Sequence, residues 1–299
     1  MGEVTVLDGG LATELEARGH DLSGSLWSAR LLRDEPSAIR AVHEAFFRAG
    51  ASVAITASYQ ASVEGFASQG IGAEEARGLI GRSVALAREA ADTVAADEPA
   101  RGPFLVAASV GPYGAAQADG SEYRGDYGVA RATLRAFHGE RLDLLLAAGP
   151  DLLAVETIPS GEEAAVVAAL LRERPAVRAW ISFQCRDETS LADGTPLEDA
   201  VAEVECVPSV VAVGVNCVPP GLVEPLLVRA RRATALPLVA YPNDGRSWDA
   251  TARAWRGLGV VAGPETVARW VALGARYIGG CCGVRPDGIA RLARSLATR

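Results

Sequence analysis

Short apolar, β-branched runs recur along the chain, and longer stretches with helical periodicity lie between them. The runs predict strands near residues 4–7, 52–57, 104–109, 152–156, 179–183, 210–215, 238–241 and 276–278. Between them, apolar residues return every three to four positions over 39–48, 73–90, 127–148 and 162–174, which predicts helices. Ser160-Gly161-Glu162-Glu163 has the form of a capping box opening the last of these. Strands alternating with helices imply a parallel sheet, and eight strands is the number that closes a (β/α)8 TIM barrel. The competing α/β architecture is an open doubly wound sheet, which carries a glycine-rich nucleotide loop after its first strand. The first turn here is Asp8-Gly9-Gly10-Leu11-Ala12, which is not that motif, so the barrel is the expected fold. No linker or shift in composition divides the chain, so one domain over residues 1–299 is expected.

Composition narrows the chemistry. The 299 residues are 49% hydrophobic and 22% charged, with a formal net charge of −8, so neither nucleic acid nor a membrane surface is an expected partner. All 29 basic residues are arginine. The absence of lysine excludes Schiff-base aldolases, pyridoxal enzymes and P-loop nucleotide hydrolases. The three histidines, His20, His43 and His138, fall away from the strand ends and are read as structural or surface residues. The N-terminus shows no basic and apolar leader, and no apolar run reaches the ~18 residues of a membrane span. Five cysteines are an odd number for a disulfide framework. A cytoplasmic location is therefore expected.

In a (β/α)8 barrel the chemistry lies at the C-terminal ends of the strands, and here those ends are polar. They carry Asp8-Gly9-Gly10, Thr56-Ala57-Ser58-Tyr59-Gln60, Ser109, Glu156-Thr157, Asn216-Cys217 and Gly279-Gly280-Cys281-Cys282-Gly283. Neighbouring side chains on a strand point to opposite faces, so Cys281 and Cys282 can share a ligand only if the backbone leaves the strand conformation. The flanking glycines permit that. With Cys217 they make a three-thiolate set that leaves one tetrahedral position open, the arrangement of a catalytic zinc, and soft sulfur ligands favour zinc over magnesium or calcium. A buried apolar role for these cysteines and a vicinal disulfide are the alternatives. Cys185 is read as a packing residue, and Cys206 as a structural residue in a helical stretch. Asp8 suits an ammonium group or acts as a helix N-cap. Glu156 is left for a ligand because Ser160 already caps the helix, or it pairs with an arginine. Thr56, Ser58 and Ser109 are short hydroxyls at loop starts. The segment 120–127 is polar, aromatic and glycine-rich, and reads equally as a lid or a solvated loop.

Taken in order, Asp8-Gly9-Gly10, Ala12-Thr13-Glu14-Leu15-Glu16, Ile55–Gln60, Glu156-Thr157, Gly214-Val215-Asn216-Cys217 and Gly279–Gly283 resemble the homocysteine S-methyltransferase family over essentially the whole chain. Ser109–Gly114 and the 120–127 segment are most similar to the branch that uses S-methylmethionine or S-adenosylmethionine. The resemblance implies a zinc-containing (β/α)8 barrel with Cys217, Cys281 and Cys282 as zinc ligands. It places Asp8, Gly9 and Glu156 on the amino-acid end of L-homocysteine with Thr56 beside them and Asn216 among the substrate-binding residues. Tyr59, Ser109 and Tyr113 are expected on the side of the sulfonium donor, where an aromatic face attracts a cation. A zinc-dependent hydrolase is one competing reading; such sites draw on histidine and carboxylate ligands. A non-catalytic zinc or thiol-binding protein is another, with Cys185 as a closing fourth ligand.

Overall fold

The computed structural model describes residues 3–22, 27–249, 254–257 and 259–297. Apolar runs buried on both faces pair into one eight-stranded parallel sheet. Its strands are β1 (Thr5–Val6), β2 (Val53–Ile55), β3 (Leu105–Val110), β4 (Leu152–Ile158), β5 (Ala179–Phe183), β6 (Val210–Asn216), β7 (Leu238–Tyr241) and β10 (Ala275–Ile278). The spatial order is β1-β10-β7-β6-β5-β4-β3-β2. A parallel bridge between Leu7 and Val53 joins the two ends. The Ser52 amide donates to the Val6 carbonyl at 2.8 Å and the Asp8 amide to the Val53 carbonyl at 3.2 Å, completing the ring. The fold is thus the expected TIM barrel. All eight expected strands occur, each end within two residues of its predicted place. A short antiparallel hairpin, β8 (Ser247–Asp249) with β9 (Ala254–Arg256), was not anticipated; strands of three residues are too short to display alternation.

The connecting helices are α1 (Leu11–Ala17), α2 (Leu31–Asp34), α3 (Pro36–Arg48), α4 (Val63–Ala67), α5 (Ala73–Asp97), α6 (Tyr113–Gln117), α7 (Arg131–Ala147) and α8 (Gly161–Arg172). They continue with α9 (Leu197–Glu205), α10 (Pro220–Ala233), α11 (Pro264–Ala272) and α12 (Pro286–Ala297). Pro36 starts α3, where its missing N–H is no loss. The α3 residues Ile39, Val42, His43, Phe46 and Phe47 then form one buried stripe. At α8 the Ser160 hydroxyl accepts from the Glu163 amide at 3.3 Å, as a capping box requires. The Glu163 carboxylate turns elsewhere, so only half of the box is made. Among the described residues no helix is long and apolar enough to cross a membrane.

Two apolar layers result. The larger lies between the sheet and the helices. The smaller fills the ring, where Ala107, Ala154 and Ala212 leave room for Trp180, Tyr241 and Tyr277. Trp180 packs 6.3 Å from Tyr241 and 6.0 Å from Tyr277 between ring centroids. The interior is therefore a packed plug, and the open space lies above it at the C-terminal strand ends.

His43 lies within the outer layer, and neither ring nitrogen meets a hydrogen-bond partner among the described residues. Burial pushes its pKa down from 6.5 to about 4. The unfolded chain therefore binds a proton that the folded chain refuses, and stability falls as pH drops through this window. A His43→Leu variant should remove that term. Urea titrations of both proteins should show the stability difference changing by about 3 kcal/mol between pH 7 and pH 4. A difference that stays constant with pH would mean that the ring is not buried neutral.

Candidate metal and substrate site

Three thiols meet at the C-terminal mouth. Cys217 follows β6, and Cys281 and Cys282 form the turn after β10. Their sulfur atoms all lie within 4.8 Å of one another, and Cys217 Sγ is 3.6 Å from Cys282 Sγ. Backbone geometry brings them together in a way that differs in part from expectation. Cys217 itself adopts a left-handed conformation, with φ of 52°, which turns its side chain off the strand direction. Of the glycines around the cysteine pair, Gly283 has positive φ, at 83°. Gly279 and Gly280 serve a different purpose: a Cβ on Gly279 would run into Leu7 at 2.6 Å, and one on Gly280 into the Val284 side chain. They are glycines for close approach, and Gly283 alone supplies dihedral freedom. The turn is pinned on both sides. The Cys281 amide donates to Pro242 O at 2.8 Å, the Asp244 amide to Cys282 O at 2.9 Å, and the Gly283 amide to Thr13 Oγ1 at 2.9 Å.

Two buried carboxylates stand beside the thiols. Asp8 does not cap α1; the residue before that helix is Gly10, with no side-chain cap. Instead Asp8 Oδ2 accepts from the Ile55 amide at 2.8 Å, across the junction of β1 and β2, while Oδ1 has no partner among the described residues. Burial raises its pKa well above the usual carboxylate range, partly offset by the Ile55 amide, and the neighbouring Glu156 charge raises it further. Glu156, at the end of β4, accepts from the Ser109 hydroxyl at 2.5 Å. Burial pushes its pKa up to about 7 against the opposing pull of the Ser109 and Tyr241 hydroxyls. No arginine pairs with it among the described residues. An orphaned buried carboxylate oxygen is a receptor for a ligand's cation.

Gly9, Thr56, Tyr59, Glu156 and the three cysteines line one cavity. Asp8 is buried behind that lining, next in sequence to Gly9. Asn216 faces away from the opening: its Oδ1 accepts from the Thr157 amide and the Ser182 hydroxyl, each at 2.8 Å, and its Nδ2 donates to Thr157 Oγ1 at 2.8 Å. This clamp holds Thr157 at φ of 61°, a second left-handed residue that lines the cavity. Thr56 Oγ1 accepts from the Ser109 amide at 3.0 Å and lies 2.7 Å from Ser58 Oγ, so these hydroxyls are tied to the strands. Ser109 supports Glu156 from below. Tyr113 does not line the cavity; it stacks 5.4 Å from Tyr127 and 5.1 Å from Phe137. Tyr123, which the sequence did not single out, does line it. The 120–127 segment thus reaches over the mouth, with Tyr123 interacting with the Cys217 thiol. The signal was present only as an aromatic, glycine-rich segment.

The histidines stay out of the mouth: His20 meets Glu35 at 2.9 Å, and His43 and His138 are buried in helices. Cys185 is buried outside the thiol cluster, and burial pushes its pKa up to about 12. Cys206 caps the C-terminus of α9, in the helical stretch expected, but it is exposed rather than packed.

Fold and site together define a (β/α)8 barrel with a three-thiol centre suited to a soft metal ion. The sequence profile of the homocysteine S-methyltransferase family matches residues 5–296, and the chain belongs to that family. It is 49% identical to the homocysteine S-methyltransferase of Escherichia coli (strain K12), over 98% of this chain and 96% of the relative. It is 44% identical to homocysteine S-methyltransferase YbgG of Bacillus subtilis (strain 168), over 98% of this chain and 95% of that one. The crystal structure of the metallated form of the homocysteine methyltransferase MmuM from E. coli superposes with a TM-score of 0.89. The match is at 47% identity, covering 98% of this chain and 96% of that one.

Proposed function

We propose that the chain transfers a methyl group from a sulfonium amino acid, S-methylmethionine or S-adenosylmethionine, to the thiol of L-homocysteine, giving methionine. The observation that carries this reading is the meeting of three thiols and the buried Glu156 carboxylate in one cavity, with the buried Asp8 carboxylate close enough to Glu156 to feel its charge.

The thiols fit zinc. Sulfur atoms about 2.3 Å from a tetrahedral zinc stand about 3.8 Å apart, close to the 3.6 Å between Cys217 and Cys282. Cys217, Cys281 and Cys282 would hold the ion, and no fourth protein sulfur joins them among the described residues. That favours an open site over a closed storage site. Bound zinc supplies the charge that keeps a substrate thiol deprotonated near neutral pH. A free thiol, with a pKa of about 8.5, is only a few per cent thiolate there.

The chain's own residues supply orientation. Asp8 Oδ1 and Glu156 receive the substrate ammonium, with Gly9 and Thr56 beside it. Ser109 fixes the Glu156 carboxylate, and Asn216 acts through Thr157. Tyr59 and Tyr123 line the same cavity as the thiols and form the aromatic wall that would attract a cationic donor. The donor's positive charge makes a neutral thioether the leaving group, so no acid or base at the mouth is needed. Three reduced thiols suit the reducing interior of a cell, and a cytoplasmic location is proposed on that ground.

The test is methionine formation by reduced, zinc-loaded protein given homocysteine and one donor at a time: S-methylmethionine, S-adenosylmethionine, betaine or 5-methyltetrahydrofolate. Turnover with a sulfonium donor is expected. Turnover with betaine or the folate alone would overturn the donor assignment, and none with any of the four would overturn the reaction.

A further inference from the structure

Behind the donor wall, and set back from the residues that line the cavity, lies a fully buried group of charges. Glu163 stands in the first turn of α8 with no exposed surface. Its Oε1 accepts from the Tyr113 amide at 2.6 Å and lies 2.8 Å from His138 Nε2, which faces a carboxylate and so donates. Its Oε2 accepts from the Tyr127 hydroxyl at 2.8 Å. One carboxylate thereby ties down both ends of the segment that carries Tyr123 over the mouth, and fastens them to α7. Arg141 sits one turn beyond His138 on the same helix. Its guanidinium donates to Gly111 O at 2.8 Å and to Ser58 O and Tyr59 O, each at 3.0 Å. That fork clamps the loop after β2, which bears Tyr59, to the loop after β3.

Packing at these points leaves no slack. A Cβ on Gly111 would collide with Tyr59 O and meet the Tyr59 ring at 2.7 Å. A Cβ on Gly114 would meet the Glu122 amide at 2.5 Å and the Tyr127 ring at 2.7 Å. Burial lowers the Arg141 pKa to about 10, with the nearby Glu163 opposing that shift. Buried charges of this kind contribute little to net stability and are most useful for fixing one geometry. Here the geometry fixed is the placement of Tyr59 and Tyr123, the two tyrosines that line the cavity beside the thiols.

We propose that Glu163, acting through Tyr127 and with His138 and Arg141 of α7, is a positioning residue for the methyl donor: it sets the spacing of Tyr59 and Tyr123 that admits the sulfonium cation. The inference rests on the methyl-transfer reading above. The acceptor carboxylates Asp8 and Glu156 are held by Ile55 and Ser109, and make no hydrogen bond to this group among the described residues. Loss of Glu163 therefore acts on one substrate only.

The experiment measures the KM for the sulfonium donor, the KM for homocysteine, zinc content and Tm in Glu163→Gln, Tyr127→Phe and the double variant. The amide introduced by Glu163→Gln still accepts from the Tyr113 amide but offers no second carboxylate oxygen to Tyr127. The Tyr127→Phe change keeps the ring packed on Tyr113 and loses a single hydrogen bond, so it tests the proposal even if Glu163→Gln fails to fold. Each single variant should raise the donor KM about tenfold, leave the homocysteine KM within about twofold and retain zinc. The double variant should be no worse than Glu163→Gln alone, because both act through one bond. An unchanged donor KM, or equal rises in both KM values, would overturn the positioning role while leaving the reaction standing. A wild-type protein without turnover would instead overturn the methyl-transfer reading.

Discussion

Serine in place of Cys217, Cys281 or Cys282 removes bound zinc and methyl transfer together. Each variant takes away one of the three proposed sulfur ligands, whose atoms lie within 4.8 Å of one another. Changes to groups that merely support metal ligands typically weaken metal affinity 10- to 100-fold, so the loss of a ligand itself should exceed ~100-fold. The hydroxyl is nearly isosteric with the thiol, and the turn is held by backbone bonds to Pro242, Asp244 and Thr13. The fold should therefore survive, with Tm little changed. Metal analysis and turnover should fall in parallel in all three variants. Full activity in any one of them would falsify the three-sulfur assignment.

Replacing Glu156 with Gln is expected to strike the acceptor substrate alone. The amide keeps the volume and can still accept from Ser109, but it carries no charge for the substrate ammonium. Hydrogen bonds to charged groups are worth ~1.5–3 kcal/mol, so the KM for homocysteine should rise roughly 10- to 100-fold with zinc retained. The pH profile supplies a second readout. In the free protein burial pushes the Glu156 pKa up to about 7. Its ionised, ammonium-binding form is therefore lost as pH falls through 7, and kcat/KM for homocysteine should decline on that side. Glu156→Gln should lack this component of the limb. An unchanged KM and an unchanged profile would remove Glu156 from the site.

The strands were legible because parallel strands buried on both faces are written as unbroken apolar runs. The thiol centre was legible because cysteine is scarce in this chain and three of the five fall at strand ends facing one mouth. What remained hidden depends on contacts between distant segments. That Asp8 leaves one carboxylate oxygen bare follows from its bond to Ile55, 47 residues away. That Asn216 turns toward Thr157 follows from a contact spanning 59 residues. The aromatic residue over the thiols is Tyr123, while Tyr113 packs inward on Phe137, a choice set by the path of one loop. Glu163 reads locally as half of a capping box, and only the folded chain shows its carboxylate serving α6 and α7 instead. Local rules report propensity and periodicity; they do not report which side chain a neighbouring loop will capture.

The junction of β1 and β2 is the slightest seam of the barrel, made by strands of two and three residues and a single bridge between Leu7 and Val53. Asp8 is its clasp, through the Ile55 amide, and its other oxygen is the one proposed to receive the substrate. Barrel integrity and ligand capture are thus selected through one side chain. An Asn at position 8 would keep an oxygen for the Ile55 amide and relieve the burial of a carboxylate, giving a sturdier barrel with a poorer grip on its amino acid. Evolution toward heat resistance has to proceed around this position, and the helices and outer layer offer the room for it.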